Sequence, residues 1–391
     1  MQIQHLAWEF PPLVYGGLGR HVAALSRAQA AAGHEVTVVT QGQPGVRQES
    51  GVTVVRVPQE PFPYHLPSLL TWVGELDHKI GRAAAAMEAD VVHAHDWVVG
   101  RAGTYAARAH GRPLVATIHA TEAGRHSGWL PDPVSAAVHL VEHWLVDEAD
   151  EVIVCSTHMA QEVARGHDRM QRVTVIPNGI DLARHSRTDD IPALLLEGSP
   201  RLTFVGRLEW EKGVFVAVEA MPAIVRQFPQ ARLRLVGTGS QAAALADLIA
   251  RLDLTDHVEL LGHVDEHSLR AAYSSSDLLL APSSYEPFGI VALEGAALGV
   301  PLIVGDAGGL AEFVTDDRGL RITPNDPAAL AHAVLQALTD PDATEARARN
   351  ATDALPEYSW DRIAERTIGV YARATVRPNP PRQLRTDRQV W

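Results

Sequence analysis

Residues 1–40 read MQIQHLAWEFPPLVYGGLGRHVAALSRAQAAAGHEVTVVT and predict a single βαβ unit. Ile3–Trp8 and Glu35–Thr40 are apolar runs of strand length, and the Ala-rich stretch Leu18–Ala32 between them has helical composition. Gly33 follows that stretch and suits the left-handed position after a helix. Two strands joined by a helix pair in parallel, so this stretch predicts a parallel sheet with helices packed on it.

The same alternation of short β-rich runs and Ala/Leu-rich stretches continues along most of the chain, which indicates an α/β protein. Buried parallel strands are expected to be continuously apolar, and most of these runs are. In the first half, further strands are predicted at Thr53–Val57, Val91–His95, Leu114–His119 and Val152–Ser156. In the second half, strands are predicted at Arg201–Val205, Arg232–Val236, Val258–Leu261, Leu278–Ala281, Pro301–Val304 and Leu320–Ile322.

The two series of strands predict two Rossmann-like, doubly wound domains. The pattern stops in a polar stretch at 183–200, so we place one domain at residues 1–190 and the second at 191–359. Trp360–Ala374 has the periodicity of an amphipathic helix and is expected to pack back on the first domain, whereas 375–391 are expected to be a disordered tail. Domains of this kind bind ligands at the carboxyl ends of their strands, so we expect a central cleft there.

Composition excludes several classes of protein. The 391 residues carry 34 basic and 47 acidic side chains, a net charge of −13 that disfavours nucleic acid as a partner. The single cysteine, Cys155, gives no sign of an oxidising compartment, and the start of the chain lacks the pattern of a signal peptide, so we expect a cytoplasmic protein. No apolar run is long enough to span a membrane, although peripheral contact with one stays open, as does the oligomeric state.

A glycine-rich segment, Tyr15-Gly16-Gly17-Leu18-Gly19, lies between the first predicted strand and the first helix. Glycines there let the backbone approach a ligand, and the helix N-terminus offers free amides to a phosphate. The alternative is a tight turn with no ligand. The segment completes neither the Rossmann fingerprint G-x-G-x-x-G nor a P-loop.

Two cations, Arg207 and Lys212, follow the first strand of the second domain. At a strand's carboxyl end they can hold oxygens of a diphosphate. The alternative is a pair of surface cations neutralised by Glu209 and Glu211.

The segment 283–296, SSYEPFGIVALEGA, is the richest in candidate site residues. Pro287 fits the first turn of a helix, which would place Glu286 at its mouth and Glu294 about two turns further in. The carboxylates can accept hydrogen bonds from sugar hydroxyls, while the amides of Phe288, Gly289 and Ile290 would face a phosphate. In the alternative both glutamates are ordinary solvated helix charges, although Glu294 stands among apolar neighbours where an unpaired charge is costly.

Polar residues also follow two strands of the first domain, in the segments V-H-A-H-D-W at 92–97 and T-I-H-A-T-E at 117–122. His93 and His95 would project to one face of a strand, so a metal site with Asp96 is one interpretation. Contact of these cleft residues with substrate hydroxyls is the interpretation we prefer, and we expect no metal.

Taken together and in this order, these motifs resemble the retaining glycosyltransferases of family 4, which have the GT-B fold. The resemblance covers Met1 to about Ala374 and rests on G-G-L-G, on the R-x₄-K of Arg207 and Lys212, and on the E-x₇-E of Glu286 and Glu294. It is closest to glycogen-synthase-like α-1,4-glucosyltransferases, including the actinobacterial methylglucose lipopolysaccharide type. The motifs that carry this closer likeness are W-E-F-P-P, H-A-H-D-W, T-I-H-A-T-E-A-G-R-H-S-G-W, G-R-L-E-W-E-K-G and Y-E-P-F-G-I-V-A-L-E.

The resemblance implies a role for each matching residue. Gly16, Gly17 and Gly19 would meet the donor diphosphate, and Arg207 and Lys212 would neutralise it. Glu286 would bind hydroxyls of the transferred sugar, Glu294 the ribose, and His119 the region of the sugar 6-hydroxyl. The remaining implied donor contacts are His263 and Val264, with Gly237 nearby, and the implied acceptor contacts are Glu9 and Asp96.

The implied reaction is retaining transfer of a hexose, α-glucosyl in the first place, from ADP-glucose or UDP-glucose to a glucan, glucoside or other hydroxyl acceptor, with no metal or other cofactor. Mannosyl transfer to a lipid or small molecule and α-maltose-1-phosphate synthesis stay open as alternatives. A nucleotide-sugar epimerase and a nucleotide-sugar-binding protein without turnover are the alternatives of other classes. One position departs from the bacterial glycogen synthases, which typically carry a lysine where this chain has Val14.

Overall fold

The structure is a computed structural model that describes residues 1–59, 66–165, 172–185, 188 and 190–376. The chain forms two compact units, the first comprising residues 1–179 with the chain from Trp360 onward, the second Ile180–Ser359. The boundary therefore lies before the predicted junction at residue 190. The reason is that Ile180 already belongs to the second unit, where its amide donates to the carbonyl oxygen of Tyr358.

The first unit is built on an eight-stranded sheet in the order β3-β4-β2-β1-β5-β6-β7-β8. All neighbouring strands are parallel except the β3–β4 hairpin. The strands are β1 Gln2–Leu6, β2 Glu35–Gly42, β3 Gly45–Glu49, β4 Val52–Pro58, β5 Val91–His95, β6 Leu114–Ile118, β7 Glu151–Val154 and β8 Val173–Val175. The central strands β1, β5 and β6 are buried almost throughout, and the buried residues include the polar side chains of Gln4, His5, His93 and His95.

Helices cover this sheet and bury apolar stripes against it. They are α1 Gly17–Ala31, α2 Leu66–Ala85, α3 Gly100–His110, α4 Glu122–Arg125, α5 Pro133–Glu148, α6 Thr157–Ala164 and, from the far end of the chain, α15 Trp360–Val376. Ile363, Val370 and Tyr371 of α15 are fully buried in the core of the first unit. Helix α15 thus packs back on the first domain. Of the tail predicted to be disordered, Thr375 and Val376 are helical and 377–391 lie outside the described residues.

The second unit has a six-stranded, fully parallel sheet in the order β11-β10-β9-β12-β13-β14. Its strands are β9 Arg201–Val205, β10 Arg232–Val236, β11 Val258–Gly262, β12 Leu278–Ala281, β13 Leu302–Gly305 and β14 Leu320–Ile322. Its helices are α7 Ala193–Leu196, α8 Val214–Gln227, α9 Ala242–Arg251, α10 Glu266–Ser274, α11 Ile290–Ala297, α12 Gly308–Phe313, α13 Pro327–Thr339 and α14 Pro341–Asp353. In each unit the strand order reverses next to the first strand, β1 or β9, which is the arrangement of a doubly wound fold.

The predicted strands are found within one or two residues of their predicted ends. Strands β3 and β8 were not predicted, because β3 is an exposed polar hairpin strand and β8 has only three residues. Helix α2 was not predicted either. Helix α11 begins at Ile290, so the prediction that Pro287 opens it was wrong. Gly289 takes φ +91°, a left-handed conformation that cannot be part of an α-helix, so the helix begins only after it. Within the described ranges, no helix has the length and apolar character needed to cross a membrane.

Candidate active site

The loops that follow the strands of the second unit bring Lys212 and Glu286 together. Lys212 lies just after β9 and Glu286 just after β12, the neighbouring strand. The Lys212 Nζ atom donates to Glu286 Oε2 at 2.7 Å, and the two side chains are 18% and 14% exposed. This is a charge-assisted hydrogen bond that keeps one edge open to solvent. The cation is therefore held at the carboxyl edge of the sheet, where parallel sheets bind ligands.

Close backbone packing fixes the two loops against each other. Gly213 has φ +69°, and a Cβ atom there would overlap the carbonyl group of Pro282, so only glycine fits. The Ser284 amide donates to the carbonyl oxygen of Glu211 at 2.9 Å, and the Gly309 amide donates to that of Glu286 at 2.8 Å. The loops after β9, β12 and β13 thus form one bonded layer beneath Lys212 and Glu286.

Arg207 is paired with a different carboxylate. Its guanidinium bonds Glu211 at 2.5 Å and is about half exposed, as the surface interpretation of this residue expects. The neighbouring carboxylate of Glu209 accepts from the amide and hydroxyl of Ser240, in the loop after β10. Of the two predicted cations, only Lys212 is paired with a predicted site residue.

Glu294 lies within α11 and is mostly buried. Its Oε2 atom accepts from the Tyr273 hydroxyl at 2.7 Å, and its Oε1 atom lies 3.9 Å from His185 Nε2. The charge predicted to be costly among apolar neighbours therefore has polar partners. Because the helix begins only at Ile290, Glu294 is about one turn inside it rather than two, and Glu286 is in the preceding loop rather than at the helix mouth.

The remaining residues predicted to bind the donor occupy adjacent loops of the second unit. Gly237 follows β10 at φ +136°, and a Cβ atom there would overlap the carbonyl oxygen of Gly206 after β9. Val264 packs against the small apolar cluster that contains Val236, whereas His263 is exposed. The side chain of Phe288 is buried, so only its backbone is available for the predicted phosphate contact.

In the first unit, Glu9 occupies the amides of Gly16 and Gly19, two of the three glycines that were predicted to meet a phosphate. Its carboxylate accepts from the backbone amides of Tyr15 at 2.5 Å, Gly16 at 3.1 Å and Gly19 at 2.8 Å. The side chain thereby caps α1, which begins at Gly17. Burial raises the pKa of the Glu9 carboxyl, and the three amides oppose that rise. Glu9, a predicted acceptor contact, is therefore bonded to the loop that was predicted to bind the donor. A phosphate can reach the Gly16 and Gly19 amides only after this carboxylate has moved.

Asp96 and His119 lie at the carboxyl ends of β5 and β6. The His119 amide donates to Asp96 Oδ1 at 2.7 Å, and Asp96 itself takes φ +63°, a left-handed conformation unusual for a side-chain-bearing residue. Burial raises the pKa of Asp96 to about 7. Burial, with the charge of Asp96 as a smaller cause, raises the pKa of nearby Glu142 to about 8. Asp96 also raises the pKa of Glu9. Asp96 therefore contacts His119 and lies within range of the charge of Glu9, the other predicted acceptor residue.

His93 and His95 are not surface groups, which corrects the expectation that they touch substrate hydroxyls. Both rings are fully buried on one face of β5, and burial lowers their pKa values well below the ordinary range. They share this face with His5 on β1, and His21 of α1 lies close by. Two overlapping groups of histidines could each hold a metal ion, because the nitrogen atoms within each group lie within 4.8 Å of one another. The groups are His5/His93/His95 and His21/His95/His119.

Several residues of these two edges escaped the sequence analysis. Tyr273 and Glu142 lie within helices, where nothing distinguishes them from surface residues until their partners are known. His5, Gln29 and Tyr371 had one available signal, since each is a polar residue within an otherwise apolar face.

Comparison with known proteins identifies both units. Residues 15–184 match the family model described as Glycosyltransferase Family 4, and residues 186–354 match Glycosyl transferases group 1. A glycogen synthase of Mycobacterium tuberculosis is 39% identical over 396 residues, covering 96% of this chain and 95% of that protein. An alpha-maltose-1-phosphate synthase of Mycolicibacterium smegmatis is 31% identical, covering 96% of this chain and all of that protein.

A solved structure agrees with these matches. A sucrose-phosphate synthase from Thermosynechococcus elongatus has a TM-score of 0.84 at 26% identity and covers 96% of this chain and 99% of its own. The similarity to curated relatives extends over nearly the whole chain, and the two doubly wound units are those of the GT-B fold. The resemblance seen in the motifs is confirmed: this chain belongs to family 4 of the glycosyltransferases and is a hexosyltransferase with the GT-B fold.

Proposed function

We propose that this enzyme transfers an α-glucosyl group, with retention of configuration, from ADP-glucose or UDP-glucose to a hydroxyl group of a glucan or glucoside. The second unit would bind the donor at the carboxyl edge of its sheet. The relatives named glycogen synthase and alpha-maltose-1-phosphate synthase support a glucosyl donor and a carbohydrate acceptor.

The observation that carries this proposal is the ion pair between Lys212 and Glu286. An ammonium group held 2.7 Å from a carboxylate, with both groups partly open to solvent, can serve the two halves of a nucleotide sugar. Lys212 would take a diphosphate oxygen, while Glu286 would accept hydrogen bonds from sugar hydroxyls. In the free protein each group satisfies the other, so neither is buried as an unpaired charge.

The chemical step needs charge stabilisation more than covalent help. As the bond from the sugar to the diphosphate breaks, negative charge grows on the phosphate oxygens, and a fixed cation lowers the energy of that state. Val14 replaces a lysine typical of bacterial glycogen synthases, so Lys212, together with Arg207 once released from Glu211, would carry this role. We propose that the departing phosphate takes the proton of the acceptor hydroxyl and that no divalent metal is required.

Glu294 would position the nucleotide. Its Oε2 atom already accepts from Tyr273, which fixes the carboxylate and leaves Oε1 for a ribose hydroxyl, with His185 3.9 Å away. In the first unit, His119 would contact the transferred sugar, and Asp96 with Glu9 would serve the acceptor. Placement in the cytoplasm stays a prediction.

A second candidate is synthesis of a maltose phosphate, for which the 31% identical relative is named. It differs only in the acceptor, which would then be a sugar phosphate rather than a glucan. Mannosyl transfer stays a further alternative for the same site. The acceptor is therefore best identified by direct competition between a glucan, glucose 1-phosphate and a lipid-linked acceptor.

The first experiment is a thermal-shift screen with ADP, UDP and GDP and their glucose and mannose conjugates, with and without EDTA. Selective stabilisation by one glucose nucleotide that EDTA leaves unchanged is the expected result. Lys212→Met and Glu286→Gln should each lower the transfer rate by about 100- to 1,000-fold, the usual effect of removing one charge-stabilising group. Arg349→Met, which breaks the exposed pair with Glu345 in the same unit, is the matched control. If no nucleotide sugar shifts the melting temperature, the proposal fails.

A further inference from the structure

A continuous chain of hydrogen bonds runs through the buried face of the first unit. His119 Nε2 lies 3.2 Å from His95 Nδ1, His95 Nε2 lies 3.0 Å from His5 Nδ1, and His5 Nε2 lies 2.7 Å from Gln29 Oε1. From Gln29 the chain continues to the Tyr371 hydroxyl at 3.2 Å, then to His93 Nδ1 at 2.6 Å, and from His93 Nε2 to the Thr117 hydroxyl at 2.6 Å. The members come from β1, β5, β6, α1 and α15.

The direction of this chain is fixed by Gln29. The amide oxygen of Gln29 faces His5 and can only accept, so His5 carries its proton on Nε2. A neutral imidazole has one N–H group, and His5 Nδ1 must therefore accept from the Nε2–H group of His95. By the same rule His95 Nδ1 accepts from the Nε2–H group of His119.

The other branch passes through a hydroxyl group and is fully satisfied in one direction. The amide nitrogen of Gln29 donates to the Tyr371 hydroxyl, which in turn donates to His93 Nδ1. His93 then carries its proton on Nε2 and donates to Thr117. Reversing the Gln29 amide would reverse every bond from His5 to His119, so one glutamine sets the tautomers of these three histidines. At His93 the same direction is the one that also uses the Tyr371 proton. Such chains strengthen cooperatively in a low-dielectric interior.

We propose that this chain of hydrogen bonds holds His119 as the Nε2–H tautomer, so that its remaining nitrogen, Nδ1, is an acceptor for a hydroxyl of the donor sugar. Gln29, His5 and His95 act as positioning residues. His119 is the only one of the seven members that is not fully buried. Its Nδ1 atom is the one imidazole nitrogen that the bonds of the chain do not use. The step from His119 to a sugar rests on the proposed function, whereas the tautomers do not.

Neutral rings are a condition of the chain, because a doubly protonated imidazole has no acceptor to continue it. Burial lowers the pKa of His5 and of His119 to about 4 and lowers the pKa values of His93 and His95 well below the ordinary range, so all four rings are neutral at pH 7.

A metal ion at either group of clustered histidines is the competing explanation. It would need lone pairs on nitrogens that the chain uses for N–H donation or acceptance, so metal binding and the intact chain exclude each other. His21 gives an internal contrast, since its Nδ1 atom lies 2.8 Å from Asn178 Oδ1 and must carry the proton there.

The test is a long-range ¹H–¹⁵N correlation spectrum of the full chain with labelled histidine at pH 7, before and after addition of one equivalent of Zn²⁺. Signals are assigned by single histidine replacements. We expect the Nε2–H tautomer for His5, His93, His95 and His119 and the opposite tautomer for His21. A Nδ1–H tautomer at His119 in the metal-free protein, or stoichiometric Zn²⁺ binding with loss of these signals, would overturn the proposal.

Gln29→Leu removes the group that sets the direction, and Gln4→Leu, which removes another buried glutamine of the same unit, is its matched control. Gln29→Leu should give a mixture of tautomers at His119 and raise the KM for the donor about tenfold with a smaller change in kcat, the effect of one lost neutral hydrogen bond. Gln4→Leu should change neither. A His119 tautomer that is the same in both variants contradicts the proposal. Expected tautomers without any nucleotide-sugar binding would refute only the proposed function.

Discussion

Replacing Glu9 with alanine should loosen the start of α1. In the free protein the Glu9 carboxylate accepts three backbone amides, of which Gly19 is buried while Gly16 is exposed. Water can replace the carboxylate at Tyr15 and Gly16 but not at Gly19, whose amide would be left without a partner.

The magnitude follows from these bonds. A buried amide that loses its partner costs about 1–3 kcal/mol, and the two solvated amides add about 0.5 kcal/mol each. We therefore expect Glu9→Ala to reduce the free energy of opening at this helix end by about 2–4 kcal/mol. Glu9→Gln keeps one acceptor oxygen, which can face Gly19, and should cost about half as much.

Native-state hydrogen exchange is the appropriate assay, because it reports on the Gly19 amide itself. At 1.4 kcal/mol per factor of ten, Gly19 should exchange about 30 to 700 times faster in Glu9→Ala than in the parent protein. Glu75→Ala, an exposed glutamate on α2 of the same unit, is the control and should leave Gly19 unchanged. Equal protection of Gly19 in Glu9→Ala and in the parent would show that the carboxylate does not hold this loop.

Three further changes test other parts of the structure. Burial raises the pKa of Asp77 from its ordinary value of 3.8 to about 7, so the native state loses stability as the pH rises from about 4 to 7. At 1.4 kcal/mol per pKa unit, Asp77→Asn should be more stable by about 4 kcal/mol at pH 8 and gain little at pH 4. An equal gain at both pH values in urea denaturation would contradict this. Gly237→Ala should cost at least about 2 kcal/mol in the same assay. It should cost more than Gly33→Ala, since Gly33 also has a positive φ but has open space around it. Equal costs would mean that the predicted overlap is absent. Tyr273→Phe removes the hydrogen bond to Glu294 and should weaken ADP or UDP binding about tenfold by calorimetry, whereas unchanged affinity would separate Glu294 from the nucleotide.

Local patterns in the sequence were sufficient for the architecture. Most predicted strands are short apolar runs that the sheet buries, and the glycines after β1 and the residues after β9 and β12 follow the strand ends, where doubly wound folds place their binding residues. Even the position of Lys212 after one strand and Glu286 after its neighbour follows from chain order, although their 2.7 Å contact spans 74 positions.

Contacts between residues that are distant in sequence could not be predicted from local patterns. His93 was expected at a ligand because two histidines on one strand resemble a binding motif, but its partner Tyr371 lies 278 residues away on a helix of another segment. The capture of Gly16 and Gly19 by Glu9 was missed for a different reason. A glycine loop before a helix has the same sequence signature whether its amides bind a ligand or a side chain of the protein.

The first unit is built from two stretches of sequence separated by the whole second unit, and this affects the order of folding. Its sheet is complete by β8, but the helix that covers His93 and Gln29 is made from residues translated after the whole second unit. Until then the buried glutamine and the imidazole lack the Tyr371 hydroxyl, and the apolar stripe of α1 lacks its partner α15. The second unit, whose ends at Ile180 and Ser359 are joined by a short β-bridge, is contiguous and can close first. The helix that completes the first unit is therefore translated only after all strands of both sheets.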